Sequence, residues 1–394
     1  MSEQWYRDYI LLGLRIDKIM REVAESTCVD AYYGPAELEE MVEDEPEMSV
    51  SSLVSAAMAL IETLPEQGFE PGHAEYLRKQ VVSMETLCRK LRGETFSLED
   101  EVQRCFDIRP AWIPEPQFEQ ALAVYDEILP GEGSVFKRLE ERRRRYKLPR
   151  HKRDLLPDLY AQALVEVRRR TKALVDLPDE EEVELECMES SGASFYLGNY
   201  RSRIQAGYGP LDNLLDLVCH EGYPGHHTET VLKEQYLYRE RGQLDQSIIL
   251  LISPHCLVSE AIATMALEML FAPGETERWM TEHIYSRVGM EEDTVDNLKL
   301  QWARDILLGP WCNAAFMLRD GASDIEIMKY VEQYTRETPR VLEELKDPFH
   351  GTYIFTYFYG KQLVQQQLQG PERWNLYRRL LKEQMLPSDL LSLR

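Results

Sequence analysis

The chemistry in this 394-residue chain concentrates in eight residues, His220-Glu221-Gly222-Tyr223-Pro224-Gly225-His226-His227, which hold three of its eight histidines. A His-Glu pair followed shortly by another histidine is an arrangement that zinc hydrolases use. The imidazoles bind the ion and the glutamate works on water. The spacing here is unusual, because such histidines normally lie four apart on one face of a helix. Six residues, to His226, rise about 9 Å and turn a net ~240° on a regular helix, which points the second ring away. Seven residues, to His227, restore the direction but separate the rings by about 10.5 Å, too far to share an ion with bonds of about 2.0–2.1 Å. Either pair therefore requires a broken helix. Pro224-Gly225 suits the break, since proline lacks the N–H and glycine tolerates unusual dihedrals.

A catalytic His-His-Glu site needs a third ligand from a separate downstream helix and keeps its fourth position for water. Residues Leu257 to Phe271 are apolar and are expected to form a buried helix containing Glu260, with Glu268 eight residues on. A carboxylate in so apolar a helix is costly unless paired or bound to a metal. Glu260 is the preferred ligand, and Glu268, nearer the polar end, the alternate. His255, at the loop edge, is expected to be a surface histidine, with a supporting role near the metal as the alternative. The stretch from Phe349 to Lys361 is dense in tyrosine, and Tyr357 and Tyr353 are candidate donors to an oxyanion, against the plainer reading of an aromatic core. Arg201, Arg203 and Lys361 are candidates to hold a substrate carboxylate, with surface salt bridges as their ordinary alternative. A purely structural zinc site would close its shell with four protein ligands. Cys219 is the one cysteine near the motif, and on a helix it points about 100° away from His220.

The elements around these residues are mainly helical. Tyr9, Leu12, Ile16, Ile19, Met20 and Val23 recur at helical spacing within 4–26, a turn is expected over Asp30 to Pro35, and a second helix starts near Ala36. Segments 49–64, 73–92 and 154–175 carry the same periodicity, Ser97-Leu98-Glu99-Asp100 resembles a capping box, and 110–116 is a proline-interrupted loop. Arg142 to Arg145, beside Glu140 and Glu141, are expected to form a solvated helix face rather than a ligand patch. The character changes near 177. Val183 to Cys187 alternates as a strand, and Ser194 to Gly198 and Ser202 to Ala206 form two more, with Gly198-Asn199 as the turn between them. A small sheet just before the histidine motif offers an edge that could pair with an extended peptide, although a plain structural hairpin is an equal reading. Residues 228–241 continue as helix, Pro254 interrupts the apolar run that starts at 248, and helices fill 274–346, one of them capped at Ser323-Asp324. The division expected is a helical region, 1–176, and a catalytic region, 177–394, packed as one unit.

With 44% hydrophobic residues the chain can bury a large core. Its 45 Lys and Arg against 69 Asp and Glu leave a net charge of -24, which argues against nucleic acid and anionic membrane as main partners. Seven cysteines without a CxxC pair are expected to be reduced thiols. An acidic, apolar-poor N-terminus and the lack of an 18-residue apolar run lead to the expectation of a soluble cytoplasmic protein. Nothing in the sequence sets its oligomeric state.

The His220 to His227 motif resembles the signature of a bacterial family known as domain of unknown function 885, grouped with the zincin-like metallopeptidases. The resemblance extends to Asp30-Ala31-Tyr32-Tyr33-Gly34-Pro35, Tyr200 to Ile204, Ser259-Glu260-Ala261 and Thr356 to Lys361. It implies a mostly helical fold with a small sheet and one zinc ion held as in gluzincins. His220, His226 and Glu260 would be ligands, Glu221 the general base, and Tyr357, more than Tyr353, the oxyanion donor. His226 is favoured over His227 because it directly follows Gly225. The sequence departs from the family in having Ala261-Ile262 where Gly-Trp usually follows the third ligand. The expected activity is hydrolysis of peptide bonds. A zinc hydrolase of small amides and a non-catalytic helical scaffold are the alternatives.

Overall fold

Tyr9, Leu12, Ile16, Ile19 and Met20 form the buried face of the Ser2–Ala24 helix in the computed structural model, which describes residues 2–189, 194–336 and 339–392. Val23, at the end of that stripe, lies outside the packing and is exposed. The periodic segments that follow become the helices Ala36–Asp44, Val50–Thr63, Pro71–Leu91 and Leu156–Lys172. Ser97 caps the Leu98–Phe106 helix by accepting from the Asp100 N–H, and Ser323 with Glu326 completes a capping box on Asp324–Val331. The fold is mainly helical, with two small sheets among the described residues.

Helices from both ends of the chain share one core: Ile10, Leu77 and Phe106 lie in the same buried cluster as Ile262, Trp311 and Tyr377. Packing therefore crosses position 176/177. A second cluster, with Leu159, Ile204, Leu214, Val218, Tyr223 and Tyr285, lies beneath the larger sheet and the histidine motif. No single described helix is long and apolar enough to cross a membrane, and all seven cysteines are free thiols.

The first sheet pairs β1 (Val29–Tyr32) antiparallel with β5 (Ile248–Leu250). A turn expected over Asp30 to Pro35 is thus half wrong: the ladder extends through Tyr32, and Tyr33 N–H still donates to Ser247 O. The second sheet has the order β2 (Glu182–Met188), β4 (Arg201–Gly207), β3 (Ser194–Gly198), with β4 parallel to β2 and antiparallel to β3. Along β4, Ser202, Ile204 and Ala206 face the core while Arg201 and Arg203 face solvent. The turn from β3 to β4 runs through Asn199 and Tyr200, both left-handed.

Two charged features differ from expectation. Arg142, one of four consecutive arginines, is buried and ion-paired to Asp212 and Asp293, so only its neighbours form a solvated face. Lys361 is also buried, 2.7 Å from both Glu268 and Asp305. Each is tolerated in the interior because two carboxylates meet it there.

Candidate metal centre

The break in the motif helix occurs where proline and glycine place it. Leu214–Leu217 is helical, a wide π-type turn covers Val218–Gly222, and a new helix starts at His226 and runs to Lys233. Between them the Tyr223–Pro224 peptide is cis, and Gly225 N–H donates to Cys219 O at 2.9 Å. A Cβ on Gly225 would lie 1.9 Å from His220 O and 2.4 Å from Cys219 O, so no side chain fits at this position. The tight return brings two rings that a straight helix would hold apart to a centroid separation of 4.8 Å.

Glu260 reaches the same point from the Pro254–Leu270 helix, which the Ile354–Val364 helix crosses closely. Gly360 allows that approach, since a Cβ there would meet Leu257 O at 3.0 Å and Ala261 N at 3.2 Å. The crossing sets Tyr353 over Glu260, and its hydroxyl donates to Oε1 at 2.7 Å. Glu260 Oε2 is buried with no hydrogen-bond partner and lies 3.5 Å from His220 Nε2 and 3.8 Å from His226 Nε2. One donor atom from each of the three residues falls within 4.8 Å of the others. Four ligands about 2.1 Å from a tetrahedral ion stand roughly 3.4 Å apart, a spacing that the two Glu260–histidine pairs approach.

The electrostatics agree with the donor geometry. Burial, reinforced by the charges of Glu221, Asp30 and Glu229, pushes the Glu260 carboxyl up to about 8 despite the Tyr353 hydrogen bond. Burial likewise lowers His220 and His226 to about 4, so both rings are neutral and carry a lone pair near pH 7. Which nitrogen of His226 carries the proton follows from its neighbours. Ser259 Oγ donates to Glu229, whose other oxygen pairs with Lys233 at 2.6 Å. The Ser259 oxygen must then accept from His226 Nδ1–H, 3.0 Å away, which leaves Nε2 as the free donor facing Glu260.

His227 belongs to a different network. Its Nδ1 lies 2.8 Å from Ser202 Oγ and its Nε2 3.1 Å from Glu181, which also takes the Tyr223 hydroxyl and Arg168. With both nitrogens engaged, it joins β4 to the motif helix and stands outside the donor cluster. The alternate carboxylate Glu268 is likewise turned away and bound to Lys361.

A cavity of about 260 Å³ opens over the three donors, lined by Glu221, Tyr353, Tyr357, His255, Asp30 and, from β3, Ser194 and Tyr196. Burial raises the Glu221 carboxyl above its usual range. His255, expected at the surface, is buried in this wall, and burial lowers it to about 4. Arg201, Arg203 and Lys361 do not line the cavity. The two arginines lie on the solvent face of β4, paired to Glu184, because strand alternation sends them away from the motif. Lys361 is held in the core, as described. Sequence reasoning missed Asp30, Ser259 and Glu229 as parts of the site. Ser259 directly precedes Glu260 and Glu229 lies three residues after His226, so helical spacing was the available signal.

Fold and site together define a mainly helical protein with a His-His-Glu donor cluster at the base of a cavity. No family model matches the chain, and no curated protein matches it. Among solved structures, a "putative lipoprotein" from Colwellia psychrerythraea aligns with a TM-score of 0.56 at 13% identity, over 88% of this chain and 69% of that one. At that identity the likeness concerns the fold alone. A structure of CHT aligns over 96% of this chain and 90% of its own at 12% identity, with a TM-score of 0.44, a level that carries no argument.

Proposed function

We propose that this chain is a zinc-dependent hydrolase of peptide bonds, with a zincin-like site in which His220, His226 and Glu260 hold the ion and Glu221 is the general base. The observation that carries the reading is the Glu260 Oε2 atom, buried without a hydrogen-bond partner and faced by two imidazole Nε2 atoms. A buried carboxylate oxygen in that position is costly unless a cation meets it. Neutral imidazole and carboxylate donors suit zinc. When bound, the ion supplies a Lewis acid that polarises a carbonyl and acidifies water.

The chain's own groups supply the rest. Glu221, directly after one ligand and in the cavity wall, accepts a proton from water and returns it to the leaving amine; its raised pKa favours that second transfer. Tyr353 positions Glu260 through their 2.7 Å hydrogen bond, so its proton is already engaged. Tyr357, one helical turn on and in the same wall, is the better-placed donor to an oxyanion. β3 is one of the two edge strands of its sheet and turns Ser194 and Tyr196 towards the cavity, which suits an extended peptide laid along it.

Metal analysis and peptide-library hydrolysis of wild type and Glu221→Gln test this reading. One zinc per chain in both, with turnover in wild type alone, is expected. Metal in both with turnover of small amides but no peptide would move the assignment to a different amide hydrolase, and failure to take up zinc would remove it.

A further inference from the structure

The cavity that covers the donor cluster has a one-sided charge. Among the described residues, its ionisable lining outside the histidines and tyrosines and Cys256 is Asp30, Glu221 and Glu260, with no lysine or arginine. With a divalent ion held by the donors and all three carboxylates ionised, the cavity would carry a net charge of -1. Two of the three already have roles. Asp30 does not, and among the described residues its side chain makes no hydrogen bond or ion pair.

The backbone around Asp30 is irregular in a way that concerns its side chain. In the β1–β5 ladder Val29 pairs with Leu250 and Ala31 with Ile249, so β1 has one residue more than β5 between two successive pairs, and that residue is Asp30. A bulged residue leaves the ladder, and bulges near functional sites re-aim a side chain. Here the bulge presents a carboxylate to the cavity beside Ile249, Leu250 and Leu251 of the partner strand region. Asp30 stands at a solvent-open position. The surrounding wall still crowds it, and with the charge of Glu221 pushes its carboxyl up to about 6.

We infer that Asp30 is the carboxylate that recognises an ammonium group of the substrate, so that the site selects amine-bearing peptides over those presenting a carboxylate. The inference rests on the proposed hydrolase site and adds its substrate class. It also replaces the arginine and lysine carboxylate clamp expected from the sequence, since none of those three cations reaches the cavity. One ammonium offsets the single negative charge left with the ion in place, whereas a substrate carboxylate would double it. The same chemistry can come from a free N-terminus or from a lysine side chain.

Calorimetric titration of alaninamide and N-acetylalaninamide into zinc-loaded Glu221→Gln, with and without Asp30→Asn, tests this without turnover. Alaninamide is expected to bind more tightly than its acetylated form, and Asp30→Asn to weaken it by about 10–100-fold at unchanged zinc content, as for loss of one hydrogen bond to a charged group. Asp30→Glu, which retains the charge, should recover part of the binding. Equal binding of the two amides, or a preference that Asp30→Asn leaves intact, would overturn the inference. In active wild type, peptides with a free N-terminus and no lysine, compared with N-acetylated lysine peptides, identify the source of the ammonium; equal KM for these and for acetylated, lysine-free peptides would count against both. Absent turnover with amine-selective binding would count against the hydrolase reading alone.

Discussion

Gly225→Ala is the sharpest perturbation this site offers, because a single methyl tests the bend that assembles it. The added Cβ would sit 1.9 Å from His220 O, where ordinary van der Waals contact begins at 3.4 Å, a shortfall of about 1.5 Å. Both nearest atoms are backbone oxygens, of His220 and Cys219, so no side-chain rotation relieves the overlap. The chain must open between Cys219 and Gly225, which strains or breaks their 2.9 Å hydrogen bond and moves His226 away from His220. Metal sites tolerate ligand displacements of about 0.2 Å. A shift approaching 1 Å should therefore weaken zinc by on the order of 10²-fold, and overpacking of this kind costs about 1–3 kcal/mol in the folded state. For a chain of this length about 1 kcal/mol corresponds to roughly 1–2 °C in Tm. Chelator competition would report the affinity, and thermal unfolding of the metal-free protein the stability. Gly222→Ala is the control: its Cβ would meet Ile204 and Leu164 side-chain atoms at 3.4 Å, an ordinary contact, so zinc affinity should stay within about threefold of wild type. If Gly225→Ala binds zinc as wild type does and melts with it, the steric account of the bend is refuted.

Other consequences follow from the same geometry. Burial pushes the metal-free Glu260 carboxyl from its ordinary 4.5 up to about 8, so its contribution to stability is intact below pH 4.5 and is lost as pH rises towards 8. The Tm of metal-free wild type should then fall across that window relative to Glu260→Gln, and zinc loading should abolish the difference; parallel pH profiles of the two metal-free proteins would contradict the assignment. Ser259→Ala removes the acceptor for His226 Nδ1–H and is expected to weaken zinc by about 10–100-fold, read by chelator competition. Lys361→Met removes the buried cation shared by Asp305 and Glu268 and should destabilise the fold by about 3–5 kcal/mol in denaturant unfolding, with zinc stoichiometry unchanged.

Much of this was legible in the residues themselves. The histidine spacing demanded a broken helix, Pro224-Gly225 identified the place, and an isolated glutamate in an apolar helix marked Glu260. These are local arguments, resting on helical rise, dihedral freedom and the cost of a buried charge. Helix starts at Ser97 and Ser323 were equally local. The fates of His255, Arg142 and Lys361 were not, because burial of a polar side chain depends on what packs over it, and their partners lie far away in the chain.

Sequence alone determined that His220 can share a site with His226 or His227 only across a break in the helix, since helical rise and rotation at that spacing allow no regular alternative. Tertiary structure decided the rest. His226 and His227 are adjacent and chemically identical, and only the placement of Ser259 beside one and of Ser202 with Glu181 around the other separates donor from strut. The packing of one face of β4 on the core left Arg201 and Arg203 outside, a buried ion triad withdrew Lys361, and one extra residue in a two-stranded ladder brought Asp30 to the cavity. Each outcome is set by contacts between segments remote in sequence, which spacing along the chain does not encode.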